Sequence, residues 1–195
     1  MEWLEHMDKL LFLMIHHTRF YILDLIIPFA TSFLTWIPIF LIATYFLYKK
    51  FKKKTVLVLL SFALLIGISD PLSNAVKKSV KRYRPSHNIL LKDKIISIDN
   101  YKGGLYGFVS GHAANSFGIA FLLILFLNEI KKRWKILILF WAIFICYTRI
   151  YLGVHYPSDL IGGALIGIFA ALITKFFYNI FENKFYTKQN ALNIL

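Results

Sequence analysis

Residues 148–159 read Thr-Arg-Ile-Tyr-Leu-Gly-Val-His-Tyr-Pro-Ser-Asp. An arginine, a histidine and an aspartate fall within twelve positions, yet apolar runs flank them at 136–147 and 160–180. Charged groups at the edge of a membrane span are expensive to keep unless they are hydrated or used. His155 and Asp159 stand four apart around Pro157, a residue type suited to the first position of a helix. The stretch therefore reads as a polar turn joining two spans, with an imidazole placed to be held by a carboxylate.

The rest of the chain agrees with a membrane setting. It has 195 residues and is 58% hydrophobic, where ordinary soluble domains are about 45–50% apolar. Mean hydropathy is +0.61. Apolar runs at 21–48, 56–76 and 111–127 precede the two already named, and a helical crossing needs roughly 20 such residues. The fold class expected is an all-α membrane protein, a bundle of about five transmembrane helices, forming one multi-pass domain over 1–195 with no soluble domain attached. The run 21–48 contains Pro28 and Pro38, so one kinked or tilted span is expected there, with two short spans joined by a tight turn as the alternative.

The segment 1–17 does not resemble a cleaved signal peptide, because acidic residues come early and no small-residue cleavage site follows. Trp3, Leu4, Met7, Leu10, Leu11 and Met14 recur at helical spacing, which suits an interfacial amphipathic helix. His6, His16 and His17 read as its interfacial anchors. Residues 181–195 form a polar tail.

The net charge of +13 implies anionic company. Nucleic acid is excluded as the partner because no soluble basic domain is present to bind it. Lipid headgroups or a phosphate substrate remain. Cys146 is the single cysteine, so disulfides and cysteine-based metal sites within one chain are excluded.

Two short basic turns set the topology. Lys49, Lys50 and Lys52–Lys54 form one, and Lys131, Lys132, Arg133 and Lys135 the other. The positive-inside rule places both in the cytoplasm, with 77–106 and 149–159 facing outward. The first outward loop nevertheless carries Lys77, Lys78, Lys81, Arg82, Arg84, Lys92, Lys94 and Lys102. Basic residues kept on the wrong side call for a reason other than topology, and an anionic ligand supplies one.

Three clusters carry chemistry: Lys77 to Pro85, Phe108 to Ala113, and 148–159. No span separates the first two, and two spans separate the second from the third. Parity alone puts all three at one membrane face. Phosphoryl transfer needs neutralised equatorial oxygens, an in-line nucleophile and a proton for the leaving oxygen. Lys77, Arg84 and Arg149 supply cations, the arginines in bidentate geometry. Ser110-Gly111-His112 opens a helix whose free N–H groups suit an anion, with Gly111 allowing close backbone approach. His112 and His155 offer a nucleophile and a general acid, and Asp159 fixes the tautomer of His155. Each cluster alone is a weak signal, since basic residues after a span often snorkel to headgroups and Ser-Gly-His is often only a cap. Their order and common face make the combination specific.

These residues resemble the signature of the type 2 phosphatidic acid phosphatase family, Lys-x6-Arg-Pro, Pro-Ser-Gly-His and Ser-Arg-x5-His-x3-Asp. Lys77 with Arg84-Pro85, Ser110-Gly111-His112, and Arg149, His155 and Asp159 match it, with Val109 and Thr148 in place of the usual proline and serine. The resemblance covers about 70–180. It implies a phosphohistidine on His155, a proton from His112, phosphate held by Lys77, Arg84, Ser110 and Arg149, and no metal or other cofactor. The expected function is dephosphorylation of a lipid phosphate or diphosphate at the extracytoplasmic face of the cell membrane. Phosphatidic acid, phosphatidylglycerophosphate, an isoprenoid diphosphate or a lipid A phosphate would all suit it. A lipid phosphotransferase using the same intermediate is the nearest rival. An anion transporter is disfavoured because the charges fall at span ends rather than at the midplane, and the related vanadium haloperoxidases lack the spans. His87 is expected to take no catalytic part, and Asp70 to pair with a motif lysine or arginine.

Overall fold

The computed structural model describes residues 2–98 and 100–184, which are almost wholly helical; among them the β-type pairing is one isolated bridge, Tyr83 with Tyr106. Helix α1 (Glu2–His16) is amphipathic as its spacing requires. Trp3, Leu4, Met7, Leu10, Leu11 and Met14 are exposed, whereas Asp8, Phe12 and His16 are buried on the inner side. His16 is not a surface anchor. Its Nε2 accepts from the Ile96 N–H at 3.0 Å, which leaves Nδ1 to donate to the Ile150 carbonyl at 3.2 Å. The imidazole thus ties α1 to two distant segments.

The expected single kinked span over 21–48 is instead two helices, α2 (Tyr21–Ala30) and α3 (Phe33–Phe51). The break lies at Thr31-Ser32, between the two prolines rather than at either. Thr31 Oγ1 donates to the Pro28 carbonyl at 2.8 Å, Thr35 Oγ1 to Phe29 at 2.7 Å, and Trp36 Nε1 to Ala30 at 2.7 Å. Side chains thereby take up the carbonyls that a helix end leaves open, which an apolar medium requires. Helices α1 and α2 meet at 109°.

Lys52, at φ 50°, turns the chain from α3 through a 3₁₀ turn at Lys52–Lys54 into α4 (Thr55–Val80). α4 is longer than its apolar run and carries Lys77 on its last turn. Likewise α6 (Lys132–Tyr151) continues through Thr148 and Arg149, which the sequence placed in a loop. The reason is local: no glycine or proline interrupts either stretch. α4 ends only where Lys81 takes a left-handed conformation, its N–H bonded to the Lys77 carbonyl at 3.0 Å. α5 (Gly111–Phe126) and α7 (Pro157–Glu182) complete the bundle. The residues 185–195 of the expected polar tail lie outside the described ones, and Phe181 and Glu182 belong to α7.

Among the described residues three stretches are long and apolar enough to cross a bilayer: Leu34–Val80, which holds both α3 and α4, Lys132–Tyr151 and Pro157–Glu182. α7 shows how the bundle is built. It turns Ile161, Leu165, Phe169, Leu172 and Phe176 outward and buries Gly163, Gly167, Ala170, Ala171 and Thr174. Lipid gives no hydrophobic reason for large residues to hide, so small ones line the helix contact. A Cβ on Gly163 would lie 2.3 Å from the Ser110 carbonyl oxygen, and one on Gly167 2.0 Å from that of Ala114. This close approach locks the opening turn of α5 to the opening turn of α7.

The basic turns gather at the other end of the bundle. Lys50 Nζ donates to Asn128 at 2.9 Å, Lys135 to the Asn128 carbonyl at 2.7 Å, and Lys54 to Glu182 at 2.8 Å.

Candidate active site

The opening turn of α7 organises the site. Asp159 is the third residue of the helix, and its Oδ2 accepts from the Tyr156 backbone N–H at 3.0 Å and from His155 Nδ1 at 3.2 Å. With Nδ1 committed as a donor, the lone pair of His155 lies on Nε2. His155 and Asp159 are 1% and 0% exposed. Burial pushes the imidazole down from 6.5 to about 4, against the opposing pull of the Asp159 hydrogen bond; Arg84 and Arg149 add to the depression. A histidine that ordinarily titrates near neutrality is thus held neutral, with its Nε2 lone pair unprotonated.

Ser110 caps α5, its Oγ accepting from the Ala113 N–H at 3.4 Å and its own N–H donating to the Asp159 carbonyl at 2.8 Å. A Cβ on Gly111 would lie 3.5 Å from Lys77 Nζ, which puts that ammonium against the N-terminal turn of α5. In the last turn of α6, Arg149 is 2% exposed. Its Nη1 donates to His112 Nε2 at 3.3 Å and its Nε to Thr148 Oγ1 at 3.2 Å. Among the described residues Arg149 Nη2 is buried without a hydrogen-bond partner at close geometry, and Tyr101 is the side chain that interacts most strongly with this guanidinium. An open guanidinium donor in a dry position is a ready contact for an anionic oxygen.

Arg84 arrives by a different route. The segments 82–84 and 105–107 pair antiparallel, with Arg84 N–H donating to Leu105 at 3.1 Å and Gly107 N–H to Arg82 at 2.8 Å. Arg84 Nε donates to the Tyr106 carbonyl at 3.1 Å, leaving the fork of the guanidinium for other partners. Gly107 passes so close to the centre that a Cβ there would meet Asp159 Oδ2 at 2.8 Å. Lys77, Arg84, Ser110, Gly111, His112, Arg149, His155 and Asp159 are therefore brought to one end of the bundle.

A cavity of about 590 Å³ opens beside His112 and Arg149. Thr31, Asn100, Tyr101 and Lys102 give it polar walls; Pro28, Ile98 and Leu152 give it apolar ones. His155 does not line it. Among the described residues no group of three or more His, Cys, Asp or Glu is arranged to hold a metal. His87 stays apart, its Nε2 3.4 Å from the Gly103 carbonyl oxygen. Asp70 attracts the motif lysine Lys77 without a direct salt bridge; its Oδ1 accepts from Asn115 Nδ2 at 2.8 Å, and Asn115 in turn accepts from Ser69 at 2.6 Å. A neutral amide one turn into α5 lay nearer than any of the motif cations.

Arg82 is a contact of the Asp159 carboxylate that the sequence did not single out, although it lies inside the first basic cluster. Its Nη1 donates to Asp159 Oδ1 at 2.9 Å and to Ser158 Oγ at 2.6 Å. Its only sequence signal was position, two residues before Arg84.

Comparison with known proteins agrees with this geometry. The family model described as PAP2 superfamily matches residues 54–184. A lipid A 4′-phosphatase of Bacteroides thetaiotaomicron is 38% identical over 182 residues, covering 90% of this chain and 78% of the relative. One of Porphyromonas gingivalis is 30% identical over 189 residues, covering 93% and 75%. The crystal structure of a transmembrane PAP2 type phosphatidylglycerolphosphate phosphatase from Bacillus subtilis superposes with a TM-score of 0.67 at 22% identity, over 91% of this chain and 87% of that one.

Proposed function

The chain belongs to the PAP2 superfamily as a membrane lipid phosphatase, and from that premise we propose that His155 is the nucleophile acting on the 4′-phosphate of a lipid A-type glycolipid. The observation that carries the mechanism is the His155–Asp159 pair, which leaves Nε2 free beside Arg149 and its unpartnered Nη2. In the first step Nε2 attacks phosphorus, the bond from phosphorus to the lipid oxygen breaks, and His112, which enters this step as the imidazolium with its Nε2 released from Arg149 to the substrate, gives that oxygen a proton. Asp159 balances the charge that develops on the imidazole. Lys77, Arg84, Arg149 and the Ser110–Gly111 turn hold the three equatorial oxygens. In the second step water attacks the phosphohistidine, His112 takes its proton, the phosphorus–nitrogen bond breaks, and inorganic phosphate leaves.

The substrate reading is supported by the two relatives named as lipid A 4′-phosphatases. The mixed walls of the cavity also suit a sugar headgroup, with polar groups to meet hydroxyls and apolar faces to meet the ring. The lysine-rich turns at the far end of the bundle support, through the positive-inside rule, the reading of a site on the extracytoplasmic side of the cell membrane.

The test is phosphate release by the purified enzyme from lipid A, phosphatidic acid, phosphatidylglycerophosphate and an isoprenoid diphosphate. Mass spectrometry then identifies which phosphate lipid A has lost. Turnover of lipid A at the 4′ position, abolished by His155→Ala, is the expected result. Hydrolysis of the isoprenoid diphosphate with lipid A untouched would overturn the substrate, and an active His155→Ala the nucleophile. Reporter fusions after Lys54 and Lys94 test the sidedness; both reporting from the cytoplasm would reverse it.

A further inference from the structure

We infer that Asp8 and Arg82 are positioning residues for the nucleophile, and that the interfacial helix α1 is thereby part of the reaction apparatus. The inference rests on His155 being the nucleophile. Asp8, Phe12 and His16 recur every four residues and form one line along the buried side of α1. Each meets the turn that carries His155. His16 Nδ1 holds the Ile150 carbonyl, and the Phe12 ring lies edge-on to Tyr156 at 5.5 Å between centroids. Asp8 accepts from the Ser158 N–H at 2.9 Å and from its hydroxyl at 2.6 Å. It also pairs with Arg82 Nη2 at 2.5 Å.

Arg82 passes this restraint to the chemistry. Its guanidinium lies over the Tyr156 ring at 4.1 Å and divides its fork between two carboxylates, Asp8 and Asp159. Asp159 Oδ2 is already engaged by His155 and Tyr156, so Arg82 is the cation that satisfies Oδ1. A fully buried carboxylate is costly to bury unless it is paired and hydrogen-bonded. Without Arg82, Asp159 would lose its charge partner and the fixed direction that points Oδ2 at Nδ1. Without Asp8, Arg82 would keep Asp159 but lose the second anchor that fixes its fork. The opposite side of α1 carries the exposed apolar row from Trp3 to Met14. One helix therefore meets the lipid with one side and braces the catalytic turn with the other.

The experiment measures kcat and KM for phosphate release, with thermal unfolding midpoints, for Asp8→Asn, Arg82→Gln, Arg82→Lys and the double variant Asp8→Asn/Arg82→Gln. His155→Ala is the control. Arg82→Gln removes a charge-assisted contact to a buried carboxylate and is expected to lower kcat about tenfold to a hundredfold at unchanged KM. Arg82→Lys keeps the charge but gives up the planar fork, so its kcat should fall between that of the Gln variant and wild type. Asp8→Asn should lower kcat by about tenfold at most and add nothing in the Arg82→Gln background, because it acts through Arg82. Asp8→Asn retains the side-chain shape and an oxygen for Ser158, so it decides the matter if Arg82→Gln does not fold. Wild-type kcat in Arg82→Gln and Asp8→Asn would overturn the inference, as would equal losses in the Gln and Lys variants or additive losses in the double variant. An inactive His155→Ala beside a normal Arg82→Gln would refute this inference alone; an active His155→Ala would remove the reading beneath it.

Discussion

Gly163→Ala adds one methyl group at the contact between α5 and α7, and the structure sets the size of its effect. The new Cβ would sit 2.3 Å from the Ser110 carbonyl oxygen and 2.9 Å from Ala113 Cβ, where ordinary contact begins at 3.4 Å. The nearest atom is backbone and cannot rotate away, so the two helices must part by about 1 Å, an overpacking that costs roughly 1–3 kcal/mol. The functional effect is larger than that figure suggests. Ser110 caps the turn that carries Gly111 and His112 and donates its N–H to the Asp159 carbonyl. Parting the helices moves the acid and the anion-binding turn away from His155, and a displacement of about 1 Å costs on the order of 100-fold in rate. The assay is kcat for lipid phosphate hydrolysis together with the unfolding midpoint in detergent. Gly67→Ala is the matched control, because its Cβ would meet nothing within 4 Å and the substitution favours the helix. Gly163→Ala should lose kcat while remaining folded, and Gly67→Ala should keep it. Wild-type kcat in Gly163→Ala would refute the claim that this contact sets the distance between the two catalytic turns.

Other outcomes follow from the same geometry. Arg149→Lys should weaken inhibition by inorganic phosphate or vanadate and raise KM by about tenfold or more, since a single ammonium cannot replace a fork with a free buried nitrogen; unchanged inhibition would show that the guanidinium does not meet the anion. His155 is depressed to about 4 from 6.5, so the unfolded chain takes up the proton first as the solution is acidified. Its contribution to stability is full above about 6.5 and is lost as pH falls through about 4. The unfolding midpoint should therefore fall more steeply across that window for the wild type than for His155→Gln, and parallel curves would contradict the burial argument.

The two kinds of apolar patterning in this chain differ in how much they reveal. Residues 56–76 and 160–180 read as spans because a bilayer selects simply for length and apolarity. The amphipathic row from Trp3 to Met14 was equally legible because helical spacing alone puts it on one side. The common location of Lys77, Ser110 and His155 followed from counting the spans between them. Helix ends were harder to read. α4 and α6 run past their apolar stretches to carry Lys77 and Arg149, since hydropathy stops where charge begins but a helix stops only where the backbone is broken. The break at Thr31-Ser32 was hidden for a similar reason. Two nearby prolines drew attention, whereas Thr31, Thr35 and Trp36 supplied the hydrogen bonds that end α2.

By itself the sequence determined the membrane setting, and it brought the candidate site side chains to one end of the bundle. These depend on residue type, spacing and parity, all of which are local or countable. Only the tertiary structure decided the partners. That Arg82 joins Asp8 to Asp159, that Asn115 rather than a lysine meets Asp70, and that His16 braces Ile150 are contacts between residues 45 to 134 positions apart. Such distances in sequence carry no periodic signal. They are fixed by how closely α5 approaches α7 at Gly163 and Gly167, and by the line along which α1 lies against the turn that bears His155.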